Sequence, residues 1–316
     1  MDPEQSLSLR AAWLAHVGGQ TQEQIAERLG VSRMKVQRLI AAAAQSGMVK
    51  FFVEGVPAEC IALEEQLIAR HGLKRCTVVP ATDPAIDDSV GPVAALAVAA
   101  AHQLARALEA PGPLTIGVGH GRTLAAMVER LPATTRQDLR FVSLLGSLTR
   151  RSAANPYDLI AKLAERTQAE CYFMPVPFLA DSRADAQVLR AQRGVQHVLG
   201  LVRECQLCVV GVGELGPGTQ LLRNHSVTAE ELRVLQAAGA VGEIAGCFVD
   251  AQGRPVACEM NERAVGAALD DLRGRDVLAV AGGLDKAEAL RAVLATGLIT
   301  GLIVDEATAQ RLVRVD

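Results

Sequence analysis

No apolar run in the 316 residues reaches the roughly 18 needed to span a bilayer. The opening MDPEQSLSLR also lacks the basic head and greasy centre of a secretory signal. Both absences point to a cytoplasmic protein with no membrane partner. Basic charge is not in excess either: 32 Lys and Arg against 35 Asp and Glu leave a formal net charge of -3. A chain that bound nucleic acid along its whole length would be basic, so any such function must be local. Seven cysteines, an odd number, are scattered through apolar segments as Cys60, Cys76, Cys171, Cys205, Cys208, Cys247 and Cys258, which does not suit a disulfide framework. Cys205 and Cys208 form a C-x-x-C, but ECQLCVVGVG carries the pair straight into a hydrophobic strand and no second Cys or His pair stands at metal-ligand spacing. Buried structural thiols fit better than metal or redox chemistry. Solenoid repeats are missing too, and no metal or organic cofactor is implied.

What is present is a hydrophobic content of 50% over a length that suits two domains, each able to bury its own core. The first part reads as three helices. LRAAWLAHV places Leu9, Ala12, Trp13 and Val17 on one face before Gly18 and Gly19 break the pattern. In TQEQIAERLG, Thr21 can cap a short helix with Gln24 at the capping-box position, Ile25, Ala26 and Leu29 inward, and Gly30 as its stop. Ser32 caps the next helix, whose inward residues are Val36, Leu39, Ile40 and Ala43 and which Gly47 ends. Two short helices joined by G-V-S match the helix-turn-helix, whose second helix enters the major groove of duplex DNA. Arg33, Lys35, Arg38 and Lys50 are the charged residues between positions 33 and 50, with no acid among them. Arg33, Lys35 and Gln37 lie near the front of the recognition helix and can reach base edges, while Arg38, Ser32 and Thr21 are better placed for phosphates. The competing reading is a three-helix packing module with a solvated basic face.

After a helix over 58–72, whose Ile61, Leu63, Leu67 and Ile68 suit either self-association or internal packing, the rhythm changes. TVVP (77–80), LTIGVG (114–119), FVSLLG (141–146), CYFMPVP (171–177), LCVVGVG (207–213), VLAVAGG (277–283) and GLIVDE (301–306) are apolar runs separated by helical patterns. Such runs suit strands covered on both faces, the arrangement of a parallel sheet. The fold class expected is α/β, with a small all-α head over 1–55 and an open, mostly parallel α/β domain over 56–316.

Several strands end in glycines. In GVGHGRTL, Gly117, Gly119 and Gly121 permit tight turning, and the first N–H groups of the following helix face whatever sits there, with Arg122 and Thr123 beside them. The dinucleotide fingerprint is incomplete, because its third glycine position holds Leu124, so a nicotinamide cofactor is not expected. Gly146 with Ser147, Gly211 with Gly213, and Gly282 with Gly283 repeat the pattern, the last with Asp285 as a cap and Lys286 in the first turn. Each loop alone is explained by a βα turn. Together, with two cations, they point to a shared pocket for an anionic ligand at the carboxyl ends of the strands.

AWLAHVGGQTQEQIAERLGVSRMKVQRLIAAAAQSGMV closely resembles the N-terminal domain of the SorC family of sugar-responsive bacterial transcriptional regulators. GAVGEIAGCFVDAQGRPV and VLAVAGGLDKAEALRAVLATGLITGLIVDEATAQRLV resemble the effector-binding domain of the same family. That domain is similar in fold to sugar-phosphate isomerases, deaminases and coenzyme A transferases. The resemblance implies effector loops at Gly119, Gly121, Arg122, Thr123, Gly146, Ser147, Gly213 and Lys286, a pocket position at Asn155, and a homo-oligomer, as a tetramer. His120 departs from the family, which often carries tryptophan between those glycines. Asp250 and Glu259 can accept from hydroxyls, but surface solvation accounts for both.

His120 and Glu214 also stand beside glycine turns, as an acid/base set would. Neither belongs to a paired-carboxylate or Asp-His constellation, and an enzyme has no use for a DNA-reading head. The expected function is therefore a non-enzymatic regulator whose operator binding is controlled by a sugar phosphate, sugar or polyol. The alternatives are a sugar-phosphate isomerase or deaminase with a DNA-binding appendage, and an assembly module that would leave Lys286 and the glycine turns unexplained.

Overall fold

The computed structural model describes residues 3–46, 48–49, 57–80, 91–132, 136, 138–147 and 159–314. The chain divides into two compact units, Met1–Glu54 and Gly55–Asp316.

In the first unit, α1 (Pro3–His16), α2 (Gln22–Leu29) and α3 (Arg33–Gln45) close around Ala11, Ile25, Val36 and Leu39. Thr21 Oγ1 accepts from Gln24 N (3.3 Å) and Gln24 Oε1 accepts from Thr21 N (2.9 Å), so two first-turn donors are satisfied reciprocally. Gly30 ends α2 in the left-handed region (φ 64°), and the Val31 N–H reaches back to Ala26 O at 3.0 Å. Ser32 then caps α3 by accepting from Lys35 N at 3.3 Å. The inward faces of α2 and α3 are those the periodicity predicts. α1 differs: Trp13 and Val17 are exposed, at 63% and 65%, and Leu7, Ala11, Leu14 and Ala15 face the core instead. The small Ala11 lets α1 approach its neighbours closely, which the indole could not.

The second unit is a three-layer α/β/α sandwich. Seven strands, β1 (Arg75–Val79), β2 (Leu114–Val118), β3 (Leu139–Ser143), β4 (Glu170–Tyr172), β5 (Leu207–Val210), β9 (Asp276–Val280) and β10 (Gly301–Asp305), form one all-parallel sheet in the order β1-β10-β9-β5-β2-β3-β4. Three short strands, β6 (Gly213–Glu214), β7 (Gly242–Ile244) and β8 (Cys247–Val249), make a separate antiparallel sheet. One face of the main sheet packs Ile116, Phe141, Val209 and Val280 against α5 (Gly91–Glu109), α6 (Arg122–Arg130) and α7 (Leu159–Thr167). The other face packs Val78, Cys208, Val210, Ala279 and Val304 against α4 (Ala58–His71) and the helices Arg193–Val202, Ala287–Ala295 and Glu306–Val313. Burial on both sides is why these strands are apolar runs and do not alternate.

Three runs break differently from the sequence reading. CYFMPVP keeps only its first residues in β4, because Pro175 and Pro177 cannot donate to a ladder, and Phe173 is left 63% exposed. LCVVGVG splits between β5 and β6, which belong to different sheets. In the helix over 58–71, Leu63 and Leu67 are buried in the unit's own core, while Ile61 is 45% exposed. Cys205 and Cys208 are buried, and a side chain at Gly117 would meet Cys208 Sγ at 3.0 Å, so that glycine serves strand packing and not the turn.

At the end of β9, a Cβ on Gly282 would lie 2.1 Å from Asp305 Oδ2. The vacancy lets the buried Asp305 carboxylate accept from Gly283 N (2.8 Å) while also capping the last helix at Thr308 N (3.0 Å). Gly282→Ala must displace that carboxylate and is expected to lower stability by about 1–3 kcal/mol. Gly200 lies inside the helix Arg193–Val202 with open space where a Cβ would sit, so Gly200→Ala is expected to hold or raise stability. Urea midpoints of the two variants check the contrast, and equal midpoints would contradict it.

Candidate functional site

From β2 the chain proceeds to β3 and β4 on one side, and from β5 it proceeds to β9 and β10 on the other. The carboxyl ends of β2 and β5 therefore form a topological switch point, where loops diverge and leave a crevice. A cavity of about 710 Å³ lies there, a size that suits a small ligand.

Three glycine-ended connections reach it. Gly119, His120, Gly121, Arg122 and Thr123 follow β2; Gly211, Gly213 and Glu214 follow β5; Gly282, Gly283, Asp285 and Lys286 follow β9. Gly121 has φ 133°, a backbone that L side chains rarely adopt, and it begins α6 without any side-chain cap. No acid stands in the first turn of α6, where Arg122 sits instead. Among the described residues, its first N–H groups and positive dipole end thus lack the usual compensation by a capping side chain or a first-turn acid. His120 forms part of the cavity wall, with Nε2 3.4 Å from Ser143 Oγ.

Lys286 spans the crevice. Its Nζ donates to Val212 O at 2.8 Å and stands 4.0 Å from Glu214 Oε2. Burial lowers its proton affinity foremost, and the Arg122 guanidinium adds to that, while Glu214, Asp285 and Glu243 oppose it. Lys286 is the last residue of a 3-10 turn, Leu284–Lys286, and Asp285 does not cap that turn: Gly283 holds the cap position without a side-chain bond.

Glu243 was not singled out by sequence reasoning. It projects from β7 into the cavity lining, and its Oε1 accepts from Gly246 N at 2.6 Å. Its only sequence signal is an acid inside an otherwise apolar and glycine-rich stretch, GAVGEIAGC. Thr219, Gln220 and Asn224, around a short helix Gln220–Arg223, were missed for the same reason: polar residues in a loop look solvated until the loop is seen to turn inward.

Other expected residues stand elsewhere. Gly146 and Ser147 are not in the cavity lining; a Cβ on Gly146 would meet Val176 O at 2.4 Å, and Ser147 N donates to that same carbonyl at 2.9 Å. Backbone pairing with the 176–178 segment explains that glycine. Asn155 lies outside the described residues. Asp250 is engaged by Arg254 at 2.8 Å and Glu259 stands 3.5 Å from Arg263, both away from the cavity lining.

In the first unit, Thr21, Ser32, Arg33, Lys35, Gln37 and Arg38 are all exposed. Arg33 with Gln37, and Met34 with Arg38, are one turn apart on the face of α3 opposite Val36 and Leu39. Thr21 and Ser32 accept from backbone N–H groups, which leaves each hydroxyl proton free to donate outward.

Burial holds the Glu243 carboxyl above the ordinary carboxylate range, opposed by the Gly246 N–H and by Lys286 and reinforced by Glu214. A folded-state value above the unfolded one means that stability is lost as pH rises through the window that begins at the unfolded value. Glu243→Gln keeps an oxygen to accept from Gly246 and abolishes that loss. The thermal midpoint of the variant relative to the parent is expected to rise with pH once the pH passes the ordinary carboxylate value of about 4.3. A difference that does not change with pH would contradict the burial cost.

The comparisons with known proteins cover both units. A family model described as "putative sugar-binding domain" matches residues 56–314. Region 4 of sigma-70 matches residues 1–46. The erythritol catabolism regulatory protein EryD of Brucella abortus is 42% identical over 312 residues, covering 99% of this chain and 98% of that protein. The transcriptional regulator LsrR of Klebsiella pneumoniae is 32% identical, covering 97% of this chain and 92% of that protein. Among solved structures, a domain described as that of "a possible sugar-binding transcriptional regulator" from Arthrobacter aurescens superposes with a TM-score of 0.73 at 27% identity, covering 82% of this chain and all of that one (100%). The full-length sorbitol operon regulator SorC of Klebsiella pneumoniae shares the fold over 99% of this chain and 100% of its own, with a TM-score of 0.72 at 23% identity. With a helix-turn-helix unit ahead of a sugar-binding α/β unit, and relatives that match along the whole length, the chain belongs to the SorC family of sugar-responsive bacterial transcriptional regulators.

Proposed function

We propose that residues 1–55 read a duplex operator in the cytoplasm and that residues 56–316 hold a sugar phosphate, sugar or polyol that controls the reading. The observation that carries this is the convergence of three strand-end loops on one cavity at the β2–β5 switch point, in a chain that also carries an exposed basic recognition helix. Arg33, Lys35 and Gln37 contact base edges, while Thr21, Ser32 and Arg38 contact phosphates.

In the cavity, Gly119, Gly121, Arg122 and Thr123 supply the bare start of α6 to the ligand's anionic or most polar end. Gly213 gives close backbone approach, His120 is a polar wall, and Glu214 and Glu243 accept from hydroxyls. An ammonium has three donors, and among the described residues Val212 and Glu214 engage at most two of those of Lys286, which leaves one for the ligand. A mixture of cations and carboxylates suits a hydroxyl-rich ligand better than a bare anion. The erythritol in the name of the relative from Brucella abortus supports the polyol class.

The cavity senses this ligand and does not turn it over. Support comes from the regulator names of the relatives on both sides of the 40% identity mark, at 42% and 32%. The active form is a homo-oligomer, because one short recognition helix makes few base contacts and two-fold sites multiply them; the family resemblance implies a tetramer. Of Ile61, Leu63, Leu67 and Ile68 on α4, Ile61 is the exposed one and is available for that association.

Two variants separate the two halves of this reading. Operator duplexes selected from a random pool give the DNA probe; erythritol, ribitol and sorbitol, each free and as its terminal monophosphate, give the small-molecule probes. Lys286→Met is expected to weaken binding of the tightest probe about 10- to 100-fold, as loss of a charged hydrogen bond does, with operator affinity in its absence unchanged. Arg33→Glu with Arg38→Glu is expected to abolish operator binding and leave probe affinity intact. Calorimetry and fluorescence anisotropy read the two affinities. Conversion of any probe during the titration would displace sensing in favour of catalysis.

A further inference from the structure

In the cavity lining, Gln220 carries a polar atom that has no partner among the described residues. Gln220 opens the short helix Gln220–Arg223, behind a buried Thr219 whose Oγ1 accepts from Leu221 N at 3.3 Å. Gln220 is one of the residues that line the cavity. Its Nε2 donates to Asn224 Oδ1 at 2.6 Å, which fixes the plane of the amide. Its Oε1 is buried and has no hydrogen-bond partner among the described residues.

Buried carbonyl oxygens without a donor are rare in folded proteins because they forfeit the hydrogen bonds that water gave them. A ligand that enters the cavity and donates to this oxygen restores what folding removed. The chemistry of that ligand group follows from the amide pair. Were both amides turned over together, Asn224 would donate to Gln220 Oε1, and Gln220 Nε2 would be the group left over. A hydroxyl both donates and accepts, so it completes either arrangement; an unprotonated phosphate oxygen completes only the second, and a methylene neither.

We propose that Gln220 binds one hydroxyl of the effector and is the residue that sets specificity against deoxy analogues. The inference rests on the cavity's being the effector site. A pocket built to hydrogen-bond a hydroxyl rejects the analogue lacking it far more strongly than an apolar pocket rejects an extra one, because the protein group is then buried and unpaired. Gln220 is therefore the discriminating contact, while the start of α6 and Lys286 hold the polar end whatever the carbon chain carries.

The test is a calorimetric titration of parent and Gln220→Leu with erythritol, 1,2,4-butanetriol and 1,2,3-butanetriol, each free and as its terminal monophosphate. The two triols each lack one hydroxyl of erythritol. The parent is expected to bind at least one triol about tenfold or more weaker than erythritol, in whichever of the two forms binds. Gln220→Leu is expected to lose about tenfold for erythritol and to keep the parent's affinity for that triol, so that the discrimination collapses. Its thermal midpoint without ligand is expected to equal or exceed the parent's, because the unpaired oxygen is gone; a merely structural role would lower it. Unchanged erythritol affinity, or an equal loss for erythritol and both triols, would overturn the assignment of Gln220 and leave the cavity as effector site. Failure of the parent to bind any of the probes would overturn the polyol reading of the cavity and this inference with it.

Discussion

The site depends on the parallel pairing of β2 with β5. Those strands are hydrogen-bonded neighbours, yet the chain leaves them toward opposite edges of the sheet, and no connection can bridge both ends. The pairing extends one residue beyond β2, through Gly119 N to Val209 O at 2.9 Å. The two connections stay close as far as His120 and Gly211, where a Cβ on Gly211 would lie 3.1 Å from His120 O, and the cavity lies beside them. Lys286 crosses from the β9 turn to Val212 O after β5, and β6 to β8 bring Glu214 and Glu243 to the same space. The base of the β9 turn is fixed in turn by Asp305 and Thr308, which both accept from Gly283 N. The polar groups are therefore held in place by sheet and helix contacts that no ligand needs to make, which lowers the ordering cost of binding.

Much of this was legible in the sequence because burial on both faces leaves little choice of residue. Six of the seven parallel strands coincide with continuous apolar runs, and the caps of α2 and α3 follow from Thr21, Gln24, Gly30 and Ser32 alone. The phase of α1 was not legible. Periodicity weighs Trp13 by its size, whereas close helix packing selects Ala11 for its smallness. Gly146 shows the same limit: its signature is that of a ligand-facing glycine, but the cause is the backbone at Val176, thirty residues away in sequence and invisible to local pattern. Glu243 and Gln220 carry no local signal that separates them from surface polar residues. Only the second sheet and the short helix 220–223 turn them inward.

A regulator with one site for DNA and another for a small molecule works by differential affinity. On the proposed reading, the effector favours one arrangement of the protein, and that arrangement binds the operator better or worse than the other. Tight binding alone shifts nothing if both arrangements bind equally. The start of α6, which has no side-chain cap among the described residues, and the partly buried Lys286 and Glu243 are groups whose energy changes when a ligand arrives. They can supply the energy such a shift requires.

Thermodynamic linkage gives the most direct measurement. If the effector changes operator affinity by some factor, the operator must change effector affinity by the same factor. Calorimetric titration of the tightest-binding polyol or polyol phosphate into the full chain, with and without saturating operator duplex, reads that factor. The account predicts two different dissociation constants whose ratio equals the shift in operator affinity at saturating effector. Identical constants with and without DNA would contradict it, because the cavity would then hold a ligand that the recognition helices never sense.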